Sequence, residues 1–66
     1  MSAAIQRAEA AGDALSLAFN DLHWAIMTAP RDQAPGPDFQ SRLRGAIAKL
    51  DEAKQHLIEA DKLSVG

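Results

Sequence analysis

The chain has 66 residues, seven Lys or Arg against nine Asp or Glu, a net charge of −2 and no cysteine. A domain this small builds only a marginal core alone, and without thiols neither disulfides nor thiolate metal sites can help, which leaves oligomerisation or a bound ligand. The charge gives no general pull toward DNA, no apolar run approaches the roughly 20 residues of a membrane span, and the N-terminus lacks a basic region followed by an apolar one, so a cytoplasmic protein with no membrane contact is expected.

The first predicted element begins at Ala3, with the Ser2 hydroxyl placed to accept from a first-turn amide. Ile5, Ala8, Gly12, Leu15, Phe19, Leu22, Ile26 and Ala29 then recur at alternating spacings of three and four, the pattern of one apolar stripe along a helix. Beside it runs a second row, Ala4, Ala11, Ala18 and Ala25, one every seven residues, whose small side chains permit close approach of another helix. Gly12 costs helix propensity and is expected to mark a close backbone approach or a bend.

Pro30 ends this helix, and Pro35-Gly36-Pro37 is expected to forbid any regular element. A connection this short turns the chain back antiparallel. Asp38 is the expected N-cap of the second helix, in which Phe39, Leu43, Ala46, Leu50, Ala53, Leu57 and Ala60 form a stripe that Ile47 widens. The leucines of that stripe are expected to interlock with the first helix. The second helix should run to about Leu63, with Ser64, Val65 and Gly66 frayed. The predicted fold is all-α: an antiparallel hairpin of residues 3–29 and 38–63 forming one domain over residues 1–66, about 40 Å long at 1.5 Å per residue. Leu17, Trp24 and Met27 lie on a different face of the first helix and cannot share its core, so a second hairpin is expected to give a four-helix dimer or a higher oligomer.

His23 has no His or carboxylate four residues away and His56 has Glu52 alone, short of the ligand set of a helical zinc site, and neither a nucleophile triad nor a carboxylate pair is visible. No metal, no cofactor and no enzymatic activity are expected. Arg42 and Arg44, by contrast, occupy the first turns of the second helix, where acids are favoured, with Arg31 in the hinge and Lys49 further along. Guanidinium forks beside free helix amides suit phosphate, and Trp24 and Phe39 could stack a base, although Phe39 also fits the core and Trp24 an interface between subunits. A solvated face on which Asp32, Asp38, Asp51 and Glu52 balance these cations is the competing reading.

Ala18-Phe19-Asn20-Asp21-Leu22, Ile26, Pro30-Arg31-Asp32 and the run from Ala46 to Lys54 resemble the helical hairpin of phage anti-defence sponge proteins. This hairpin is shared by anti-CBASS and anti-Thoeris proteins, which sequester the cyclic nucleotide messengers of bacterial immunity. The resemblance spans about residues 15–60, with Lys49 at the lysine of the second-helix motif and Arg31 in a basic region that here carries a longer Pro-Gly-Pro insert. It implies a non-enzymatic homo-oligomer, built from dimers and often extended to hexamers, that binds cyclic di- or trinucleotides between subunits in the host cytosol. The ligand-binding residues expected on this reading are Arg31, Arg42, Arg44, Lys49 and Trp24. The rival is a dimeric four-helix adaptor that binds another protein through Leu17, Trp24 and Met27. An RNA-binding bundle is a third reading, against which the overall acidity argues.

Overall fold

Ser2 opens the first element as the sequence predicts: its Oγ accepts from the Ile5 amide at 3.4 Å, and its carbonyl accepts from the Gln6 amide at 3.1 Å. Helix α1 then runs Ala3–Thr28. Ala29, held extended by the following Pro30, is its C-cap. Two side chains bond back to carbonyls near the helix end, of which that of Ile26 is one the helix itself leaves free. Thr28 Oγ1 donates to the Trp24 carbonyl at 2.7 Å, and Arg31 Nη2 donates to the Ile26 carbonyl at 3.0 Å. The computed structural model describes residues 2–65.

Helix α2 runs Pro37–Ser64 and starts one residue earlier than expected. Pro37 does not block it, because proline at the first helical position lacks only an amide hydrogen that would have been unpaired there anyway. Gly36 is therefore the N-cap, with no side chain to cap the helix, and Asp38 sits inside the first turn, where its charge favours the positive end of the dipole. At the far end Ser64 Oγ donates to the Asp61 carbonyl at 2.8 Å and remains helical, with Val65 as the C-cap. Gly66, assigned to a frayed end from sequence, lies outside the described residues.

The two helices pack against each other as a hairpin, 53 Å in its longest Cα dimension and 14 by 12 Å across. The seam between them is made of alanine. Ala11, Ala14, Ala18 and Ala25 of α1 are buried against Ala46 and Ala53 of α2, and Ala4 and Ala60 continue the line half-buried. The row spaced every seven residues is thus the one that faces the partner helix. Of the broader stripes that the sequence placed in the seam, the α2 alanines Ala46, Ala53 and Ala60 are there, but the large residues lie beside it: Leu50 and Leu57 are each 49% exposed, and Phe19 is 69% exposed. The physical reason is size, since a methyl lets two backbones close in while leucines pointing straight across the axis would push them apart.

Gly12 also departs from expectation. Helix α1 continues through it, and a Cβ added there would meet nothing within 4 Å. The close approach is at Gly45 instead, where an added Cβ would lie 3.0 Å from Asp21 Oδ2. Leu17, Trp24 and Met27 stand exposed, as their position on another face requires.

If the alanine seam holds the hairpin, Ala53→Leu overpacks it and should lower unfolding stability by about 1–3 kcal/mol. Ala48→Leu, on the exposed side of the same helix, should change it by less than about 0.5 kcal/mol. Urea unfolding followed by circular dichroism compares the two, and coincident midpoints would place the seam elsewhere.

Candidate functional site

Two breaks in helical geometry, at Pro30 and at Gly36-Pro37, hold the hinge open enough to leave a recess. Thr28, Ala29 and Pro30 form one wall, and Gly36, Pro37, Asp38, Phe39 and Arg42 the other, around about 340 Å³. A second recess of about 400 Å³ adjoins it, lined by Asp21, Asp38, Ser41, Arg42 and Gly45. Residues 38, 41, 42 and 45 share one helical face by their spacing of three and four, and Gly45 brings Asp21 of α1 against that face. Arg42 and Asp38 line both recesses. Each volume is at the lower end of the roughly 300–1,000 Å³ usual for small-molecule sites, and both are open to solvent.

The electrostatics are mixed. The α2 N-terminus presents amides that no side chain caps, and the Arg42 guanidinium adds up to five donors, a combination that suits an anion. Asp21 and Asp38 supply acceptors beside it, suited to hydroxyl or amino groups. A ligand with both a phosphate and polar donors fits this lining better than a bare anion does.

The five residues singled out from sequence do not all converge. Arg42 is at the centre. Arg31 reaches back to α1, its guanidinium bonded to the Ile26 carbonyl, so it acts first as a clamp on the helix end. Lys49 is half-buried on the same side as Arg42 but about two turns further from the hinge. Arg44 is exposed, and two positions beyond Arg42 it is rotated by about 200° around α2, away from both recesses. Trp24 is exposed on α1, with its ring edge-on to His23 at 6.1 Å and 74°. Phe19 stacks on the other side of His23 at 6.0 Å and 19°.

Asp21, Thr28, Ser41 and Gly45 were not anticipated as site residues. Asp21 and Gly45 come together only once the seam register is known, whereas the Phe19–His23 pair was readable as neighbours four apart on a helix. At the open end of the hairpin, Arg7 Nη1 donates to His56 Nδ1 at 3.3 Å. No family model, no curated protein and no solved structure matches the chain.

Removing the clamp should be visible in stability alone. Arg31→Ala loses a hydrogen bond from a charged donor and is expected to cost about 0.5–1.5 kcal/mol on this exposed turn, while Arg44→Ala should stay within about 0.5 kcal/mol. Chemical denaturation of both variants measures the difference. Equal midpoints would mean that the Arg31 contact contributes nothing to the fold.

Proposed function

We propose that the chain is a non-enzymatic sponge of the phage anti-defence kind, which binds cyclic di- or trinucleotide immune messengers in the host cytosol and withholds them from their effectors. The observation that carries this reading is the position of Arg42, on the opening turns of α2 between two adjoining hinge recesses and beside an uncapped helix N-terminus. A guanidinium grips phosphodiester oxygens with paired hydrogen bonds, and the free amides add to that grip. Asp21, Asp38 and Ser41 match ribose hydroxyls and base amino groups, and Phe39 in the recess wall offers a face for a base. One hairpin encloses too little of a cyclic nucleotide, so the pocket is completed by a further copy, which can bring in Trp24, Arg44 or Lys49. The residue-level resemblance over residues 15–60 points to the same ligand class.

A second reading has its own observation. Leu17, Trp24 and Met27 are between 48% and 62% exposed on α1, large apolar groups without cover, and a protein-interaction adaptor would use them to dock a partner.

Isothermal calorimetry against a panel of cyclic di- and trinucleotides separates the two. The sponge reading expects wild type to bind at least one at micromolar concentration, with Arg42→Ala losing about tenfold to hundredfold, the range for a hydrogen bond to a charged group. Absence of binding by wild type across the panel would end that reading in favour of the adaptor.

A further inference from the structure

Most of the large apolar residues of the two helices fall on one side of the hairpin, whereas Leu17 and Trp24 are displaced from the α1 alanine row in the opposite sense. At about 100° per residue, Leu15, Phe19, Leu22 and Ile26 are displaced from the α1 alanine row in one sense, and Leu43, Ile47, Leu50 and Leu57 are displaced likewise from the α2 row. Antiparallel helices displaced in the same sense point those residues to the same side. The geometry agrees at the open end, where Ile5 and Ala8 of α1 line a shallow depression together with Leu57 and Ala60 of α2. The opposite side holds Arg7 against His56 and Asp21 against Gly45, and it carries the recess lined by Asp38, Ser41 and Arg42. The hairpin is therefore two-sided: one face is largely apolar, and the other carries these polar groups with Leu17 and Trp24 on its α1 edge.

We infer that the apolar face is the contact with a second copy of this chain, giving a twofold four-helix bundle whose centre is Leu15, Phe19, Leu22, Ile47, Leu50 and Leu57. Three observations select this occupant. The first is area: the chain exposes 5014 Å², whereas a compact monomer of its 7.1 kDa exposes about 4,100 Å². The excess of about 900 Å² is close to the roughly 800 Å² per partner that a stable interface buries. The second is the core itself, since every buried apolar residue among those described is alanine and no large side chain is fully buried. A chain without disulfides needs a further source of burial, and its own copy is always at hand. The third is the pattern of the face. Lys54 and Asp61 follow Ile47 at seven-residue spacing on the same face, opposite charges that bound the apolar patch toward the open end. Gly12 lies on the same face with open space above it, a notch that nothing within the hairpin requires and that a large side chain from a second copy can fill.

This inference stands apart from any ligand, because the contact lies across the hairpin from Arg42. It is tested by sedimentation equilibrium and by thermal unfolding of wild type over a hundredfold range of concentration. The expected result is a mass of two copies or an even multiple, with a melting temperature that rises with concentration. Phe19→Glu and Leu50→Glu, which place a carboxylate in the contact, should weaken association by about 100-fold or more, while Leu17→Glu on another face should change it less than about threefold. A folded wild-type monomer whose melting temperature ignores concentration would overturn the inference, whatever the variants do. So would dissociation by Leu17→Glu with Phe19→Glu still associated, which would move the contact to the Trp24 side.

Discussion

Everything in this fold depends on the closeness that alanine allows between two helices. A leucine stripe gives burial at the cost of distance, and an alanine row gives closeness at the cost of burial. Here Ala11, Ala14, Ala18 and Ala25 meet Ala46 and Ala53, so the backbones come near, but each contact buries little more than a methyl group. Burying a methyl contributes about 0.8 kcal/mol and a full leucine about 1.5–3 kcal/mol, so the seam sets register and direction better than it supplies stability. The larger residues are displaced to the flank, and the two-sided character of the hairpin follows from that displacement.

The same closeness builds the hinge site. With Ala18, Ala25 and Ala46 all buried in the seam, the Asp21 carboxylate comes so near Gly45 that a methyl there would crowd its oxygen, and Asp21 joins the face that carries Asp38 and Arg42. A bulkier seam would draw these groups apart. The hinge closes the arrangement, because Arg31 and Thr28 hold the last carbonyls of α1 while Pro37 fixes where α2 begins. Local capping and long-range packing therefore converge on the turn of helix that bears Arg42.

The helices, their limits to within a residue or two and the hinge were legible in the sequence, because periodicity and proline act locally. Ser2 as a cap and Pro30 as a stop needed no knowledge of the partner helix. Which of two parallel stripes faces inward was not legible, since both the leucine-rich row and the alanine row repeat at near-heptad spacing, and only the competition between burial and distance decides. Gly12 illustrates the same limit: on paper it is the point of close approach, and only the packed pair shows that the approach is at Gly45 instead. At the site, Arg42 could be picked out as a cation at a helix start, but Asp21 could not, because its role depends on a residue 24 positions away in the chain. The Arg31 clamp escaped for a related reason, as sequence does not say which carbonyl a hinge arginine will find.

A hairpin with two unlike faces can make two unlike contacts, and this bears on how one small chain could enclose a ligand. If copies pair through the apolar side, the polar side with Arg42, Asp21 and Asp38 stays open to solvent, each recess exposed on a half-formed pocket. Closing those pockets then falls to a separate contact, one that brings hairpins together on the side where Leu17 and Trp24 are still uncovered. An assembly of dimers meeting there would bury those two side chains and could set Trp24 beside a neighbour's hinge. Pairing and pocket formation would thus be separable steps carried by different faces. A ligand held at the second contact would strengthen it by linkage, because whatever binds only the assembled pocket draws the equilibrium toward assembly.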